Sequence, residues 1–285
     1  MKSRWIINIL LLVAIAMLAV VAHFKPGIDQ QAEAISITGL KQDQLRRIHI
    51  NRPVREDLVL LKNTSGHWNI ERTPALPTES MQVNALLRLA EQKAVRSYSA
   101  SELELSQLQL EPPYATIFLN DTAVEFGNLE PIEGLRYVRV ADRVHLIPDI
   151  YIQLIELSYT QFVRRRLFEN GTRIAAITLP GLSIRKADQS WEVEPEQEIS
   201  ADDLQAFVEH WQGATSLNVQ TATEVEGNEV VEITLADNAG SINFSIASRK
   251  PELVLVRPDL GIQYRMGDTD SELLALTPPR TEEQE

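Results

Sequence analysis

From Ile35 onward, short runs of alternating or β-branched residues recur, each closed by turn formers, and the same succession of runs is met twice. That periodicity is the tightest constraint on the fold, because period-two alternation specifies a half-buried strand. The first set is Ile35–Thr38, Arg46–Asn51, Leu58–Lys62 and Trp68–Arg72, with Asn63-Thr64-Ser65-Gly66 marking a hairpin turn before Trp68. Pro77-Thr78-Glu79 then opens an amphipathic helix over about 80–93, with Met81, Val83, Leu86, Leu87, Leu89 and Ala90 near helical spacing. Strands are predicted at Ala115–Asn120, Ala123–Phe126, Leu135–Val140 and Arg143–Ile147, and a second helical stretch over Asp149–Thr160 leads into Gln161–Phe168.

The second half answers element by element. Ile174–Leu179 corresponds to Arg46–Asn51, Leu182–Lys186 to Leu58–Lys62, and Trp191 to Trp68. Ser200 reads as an N-cap, with Asp202 and Asp203 in the first turn of a helix reaching about Gln212. Glu229–Leu235, Ser241–Ile246, Leu253–Arg257 and Ile262–Met266 complete the set. The offset of about 115–125 residues is too long for a solenoid unit. The expected fold is therefore α+β, with two tandem, duplicated modules of antiparallel sheet plus helix. We place the first module at 36–160 and the second at 161–276, followed by a disordered acidic tail at 277–285.

Ahead of the modules, residues 5–24 read WIINILLLVAIAMLAVVAHF, an apolar run long enough to cross the ~30 Å core of a bilayer. Lys2 and Arg4 precede it, whereas Lys25 is soon followed by Asp29. The positive-inside rule then predicts a cytoplasmic N-terminus and an extracytoplasmic body, joined by a polar linker over 25–35. The competing reading is a signal peptide cut after Ala22, but the apolar run exceeds a usual signal core. Both readings export the body. A single-pass protein of a bacterial inner membrane, with 1–24 as cytoplasmic N-terminus and anchor and the body in the periplasm, is the expectation.

Charge narrows the partners. The chain carries 27 Lys and Arg against 40 Asp and Glu, a net of −13. Setting aside Lys2 and Arg4 deepens this to −15 for the remainder. Such a surface repels phosphate backbones and argues against a nucleic-acid partner. With no cysteine, disulfides, thiolate nucleophiles and sulfur-bound metals are excluded.

Catalytic motifs are missing from the sequence: it holds no HExxH, GxSxG, P-loop or GxGxxG pattern. The five histidines (His23, His49, His67, His145 and His210) are not grouped by spacing. His67, beside Trp68, and His145, in a strand pattern, are conceivable ligands, but structural roles account for both. Adjacent Asp202 and Asp203 diverge on a helix and are better explained by its dipole than as an acid pair. The alternation of Glu192, Glu194, Glu196 and Glu198 reads as a solvated face, and no Asp/Asn/Gly loop there supports calcium. Arg164-Arg165-Arg166, the single basic run, could meet lipid headgroups or an acidic partner. It is also explained as charge at the C-terminus of the preceding helix. Trp68 and Trp191, at matched positions, are expected to anchor each module's helix to its sheet. No catalytic, cofactor-binding or metal-binding residue is assigned, and no cofactor is expected.

The order of short elements in the first copy resembles the DUF4340 family of bacterial envelope proteins. An anchor is followed by Ile48-His49-Ile50, Leu60-Leu61-Lys62 and Gly66-x-Trp68-x-Ile70, then by a helix approached through Pro74 and Pro77. Leu108, Leu110 and Pro113 form a pre-strand element, succeeded by Phe126-Gly127-Asn128 and Tyr137-Val138-Arg139. The family commonly shows a glycine after the leucine of that element, where this chain has Gln109-Leu110-Glu111. The resemblance spans about residues 40–250 and implies an accessory extracytoplasmic role beside ABC-type export systems related to gliding-motility transport. It carries over no catalytic residue.

Two functions are expected on these grounds. One is a non-enzymatic, membrane-anchored accessory or scaffold protein with an envelope protein partner such as an ABC-type transporter. The other is a ligand-binding protein that takes a lipid, glycan or peptide in a groove between the modules.

Overall fold

The computed structural model describes residues 15, 36–188, 190–223, 229–237, 239–267 and 272–276. Apart from Ile15, the expected membrane segment and linker lie outside the described residues, as does the acidic tail. Among the described residues no helix is long and apolar enough to cross a membrane.

The first module begins with β1 (Arg47–Asn51), β2 (Leu58–Lys62), β3 (Trp68–Ile70) and the two-residue β4 (Leu76–Pro77). Helix α1 (Ser80–Leu87) follows and tightens into a 3-10 turn over Arg88–Glu91. Then come β5 (Arg96–Ser99), β6 (Ala115–Leu119), β7 (Thr122–Leu129), β8 (Leu135–Val140) and β9 (Arg143–Pro148). These nine strands form one sheet in the order β4-β3-β2-β1-β6-β7-β8-β9-β5. A short helix α2 (Ile152–Glu156) and a 3-10 turn (Tyr159–Phe162) connect it to the second module.

The second module comprises β10 (Ile174–Leu179), β11 (Leu182–Ala187), β12 (Ser190–Glu194), helix α3 (Ala201–Gly213), β13 (Asn218–Thr221), β14 (Val230–Leu235), β15 (Ser241–Ser248), β16 (Val254–Arg257) and β17 (Ile262–Arg265). Its sheet order is β12-β11-β10-β14-β15-β16-β17-β13. With β4 set aside, the two orders coincide strand for strand, and in each module the helix leads into the strand that pairs with the last strand of the sheet. All the named strand pairs are antiparallel, as expected of a sheet built from hairpins.

Burial explains why these segments are strands. Ile48 and Ile50 of β1, Leu60 of β2, and Ile117 and Leu119 of β6 are fully buried, and their intervening neighbours face outward or are half covered. The apolar core runs without a break from the first module through Phe162, Val163, Leu167 and Phe168 into the second. There Phe244 sits among Phe168, Trp211 and Tyr264, with ring centroids 6.0–6.4 Å away.

Several expectations need correction. Sheets dominate the α+β fold, and its helices are few and short. The segment expected as a strand around Ile35–Thr38 makes one bridge, Ser36 to Lys93, with the Ile37 N–H donating to the Gln92 carbonyl at 2.9 Å. The first helix is α-helical only to Leu87, and the second helical stretch shrinks to Ile152–Glu156 plus a 3-10 turn. Strands β5 and β13, which close one edge of each sheet, are absent from the sequence reading. Their residues, Arg-Ser-Tyr-Ser and Asn-Val-Gln-Thr, are mostly polar. They are strands because they pair with β9 and β17, a non-local cause that no local pattern reveals.

The departure at Gln109 also has a structural meaning. Gln109 has φ 53°, in the left-handed region that favours glycine. The element around it packs on Gly127, where an added Cβ would lie 2.3 Å from the Leu108 carbonyl oxygen. Asn128 secures the contact, its backbone N–H donating to the Leu108 carbonyl at 2.7 Å and its side-chain amide to the Gln107 carbonyl at 3.2 Å.

Candidate functional site

A concavity lies where the modules join. Residues 163–168 form an extended strap bonded on both sides. Arg164 N–H donates to the Pro77 carbonyl (2.9 Å), and Val163 bridges to Thr78. On the other side, Leu167 N–H donates to the Ala214 carbonyl (3.1 Å) and Ser216 N–H to the Arg165 carbonyl (3.0 Å). The 3-10 turn before the strap adds a contact to each module: the Arg72 guanidinium stacks 3.7 Å from the Tyr159 ring centre, and the Tyr159 hydroxyl lies 2.7 Å from Thr221 Oγ1.

Between the strap, the β2–β3 hairpin and the start of α1 is a groove of about 650 Å³, within the size range of small-molecule sites. Lys62 and His67 enter it from the hairpin, Glu79 and Ser80 from the helix N-terminus, and Arg164 and Arg166 from the strap. Trp68, Val83, Leu87 and Phe168 supply apolar wall. The groove is thus mixed in character rather than uniformly apolar.

The basic run therefore does not extend the preceding helix, as the sequence reading allowed. Arg164 pairs with Glu169 at 3.1 Å, and Arg165 lies 3.8 Å from Glu79. Arg166 donates to the Gln212 carbonyl at 3.3 Å, so it serves the C-terminus of α3, a helix that follows it in sequence. The Nε–H groups of Arg164 and Arg166 are buried and have no acceptor.

A second concavity of about 640 Å³ lies beside Arg52, Val54, Pro112, Pro113 and Tyr114. Its one buried cation is structural. Arg52 is 6% exposed, and its guanidinium donates to the carbonyls of Ile155 (3.2 Å), Leu157 (2.6 Å) and Glu56. Burial lowers its pKa, and the neighbouring Arg55 charge adds to that.

The histidines do not converge. His145 is buried on β9 with Nδ1 2.7 Å from Ser97 Oγ on β5. Burial, then the nearby Arg143 charge, depresses its pKa, so the neutral ring is favoured. His49 on β1 meets Asp57 at 2.8 Å and stacks on Phe118 with centroids 5.4 Å apart. Burial pushes the Asp57 carboxyl pKa upward, but hydrogen bonds from His49, Asn51 and the Arg52 N–H outweigh it and hold the value low. His67 lines the junction groove, and His210 sits on α3 away from it. His23 is outside the described residues. Among the described residues, no group of three or more His, Asp or Glu could hold a metal ion.

Ser200 caps α3, accepting from the Asp203 N–H at 3.1 Å, and Asp202 and Asp203 occupy the first turn. Glu192 and Glu194 lie on the exposed face of β12, with Glu192 paired to Arg185 at 2.8 Å. Trp68 is 9% exposed and belongs to the core. Trp191 is only half buried and donates to Gln205 of α3 at 2.7 Å. The fully buried indole of the second module is instead Trp211, on the helix itself, which donates to the Leu273 carbonyl at 3.0 Å. Sequence reasoning missed it; its signal was its place on the apolar face with Leu204, Phe207 and Val208.

No curated protein and no solved structure was found to match the chain. Residues 68–252 match the family described as Domain of unknown function (DUF4340), a stretch that starts in β3, crosses both modules and reaches the loop before β16. It covers well over half of the sequence, so the chain belongs to the DUF4340 family.

Proposed function

We propose that this chain is a membrane-anchored extracytoplasmic accessory protein that works by binding and holding partners rather than by turnover. The strap is the observation that carries this reading. Because residues 163–167 are hydrogen-bonded to Pro77 and Thr78 on one side and to Ala214 and Ser216 on the other, the two modules act as one body. A body of this kind can present a fixed surface at a set distance from a membrane. Residues 5–24 are its anchor and an ABC-type transport complex is its partner, the first read from the apolar run and the second from the family resemblance.

The test has two parts. An alkaline phosphatase reporter fused at the C-terminus should be active only if the body is exported. Photo-crosslinkers placed along β5 and β12, in cells producing the full chain, should yield adducts with a permease or ATPase subunit of one transporter. A cytoplasmic reporter, or repeated crosslinking without a membrane-protein adduct, would count decisively against the reading.

The junction groove favours a second reading, in which the same body binds a small ligand between its modules. Saturable binding weakened by Val83→Trp, a substitution that adds bulk to the groove wall, would support it.

A further inference from the structure

The groove brings Lys62, Arg164 and Arg166 of this acidic chain into one cavity. Alternate residues of an extended segment share a face, and Arg164 and Arg166 of the strap both line the groove with Lys62 opposite. Its carboxylates are engaged: Glu169 by Arg164 at 3.1 Å, and Glu79 by Arg165 at 3.8 Å. Lys62 and Arg166 face no carboxylate partner among the described residues. Helix α1 adds its positive end: Ser80 is in the wall, and the N-cap residue Glu79 makes no side-chain cap hydrogen bond. The Lys62 ammonium, the Arg166 guanidinium and the uncapped helix start together favour a negatively charged acceptor. A phosphate presents more acceptor oxygens than a carboxylate, in more directions, and is the better match for donors that converge from separate sides.

We infer that the junction groove binds a phosphate group, held by Lys62 and Arg166, with any apolar remainder of the ligand against Val83, Leu87 and Phe168. This deepens the second functional reading and rests on it. The phosphate could be free in the periplasm or carried by a lipid, and the assay separates these sources.

The full chain, in a neutral detergent, is titrated by calorimetry with inorganic phosphate, dihexanoyl phosphatidic acid and dihexanoyl phosphatidylcholine. Saturable binding at one site is expected for phosphatidic acid, with much weaker binding of phosphatidylcholine. Equal affinity for inorganic phosphate would assign the site to a soluble phosphate, and binding of phosphatidic acid alone would assign it to lipid. Lys62→Gln should weaken binding by roughly tenfold, as loss of one charge-assisted hydrogen bond implies, and Arg166→Gln by at least as much. Lys62 forms no ion pair among the described residues, so its variant keeps the test valid if Arg166→Gln fails to fold. Arg185→Gln, on the far sheet, should leave binding unchanged. Equal binding of phosphatidylcholine, or insensitivity to Lys62→Gln, would overturn the phosphate assignment while leaving a ligand groove. Absence of binding by all three probes would overturn the phosphate assignment.

Discussion

Gly127→Ala should destabilise the first module by about 1–4 kcal/mol. The Cβ it introduces would lie 2.3 Å from the Leu108 carbonyl oxygen and 2.9 Å and 3.0 Å from Leu110 Cγ and Cδ2. Leu110 is fully buried, so it has little room to turn away. Restoring even a tight 3.0–3.4 Å contact requires the Leu108 backbone to withdraw by about 0.7–1.1 Å. That oxygen is also the acceptor for the Asn128 N–H at 2.7 Å, and Asn128 holds Gln107 as well. Overpacking in a closed site typically costs about 1–3 kcal/mol, and a weakened hydrogen bond adds about 0.5–1.5 kcal/mol. Against this, alanine reduces unfolded-state entropy by only about 0.4–1 kcal/mol. Urea denaturation of the full chain in a fixed detergent, followed by circular dichroism, measures the difference. Gly213→Ala is the matched control: this last residue of α3 has nothing within 4 Å of an added Cβ and no left-handed φ. It should be neutral or stabilising by up to about 1 kcal/mol. If Gly127→Ala shifted the midpoint no more than Gly213→Ala, the close approach of the Leu108 element could not be what requires glycine here.

Other outcomes follow from single contacts. Gln109→Gly should stabilise the chain by about 1 kcal/mol in the same assay, because it relieves a left-handed φ of 53°; a loss of stability would mean that the glutamine side chain is needed. Ser200→Ala removes the acceptor for the Asp203 N–H and should cost about 1 kcal/mol, with Ser200→Asp retaining most of it. Trp211→Phe should cost about 2–3 kcal/mol, since it strands the Leu273 carbonyl and opens space beside Phe244. His145 has a folded pKa below its unfolded value of about 6.5, so the unfolded chain binds more protons. Its contribution is fully present above pH ~6.5 and falls away as pH drops toward the folded value. The loss of midpoint between pH 7.5 and pH 5 should accordingly be smaller in His145→Gln than in the parent, and an equal loss would remove His145 as the cause.

Legibility varied with how local each cause was. The hairpin strands could be read from alternation because their burial repeats every second residue, as in Ile48 and Ile50 or Leu58 and Leu60. The start of α3 could be read from Ser200 and the two aspartates, since a cap acts within one turn. Matching Trp191 to Trp68 identified equivalent strands but not equivalent burial. β3 lies between β2 and β4, whereas β12 is an outer strand with one neighbour, so its tryptophan is left half covered.

The amino-acid sequence by itself determined the succession of elements, its repetition, the acidic balance and the apolar run at residues 5–24, all properties of neighbours along the chain. Tertiary structure alone decided the polar edge strands β5 and β13, the role of Arg166 at a helix that comes later in sequence, and the groove itself. Lys62 and Arg166 are about a hundred positions apart. Packing brings them into one cavity because the strap must satisfy its backbone hydrogen bonds on both modules at once.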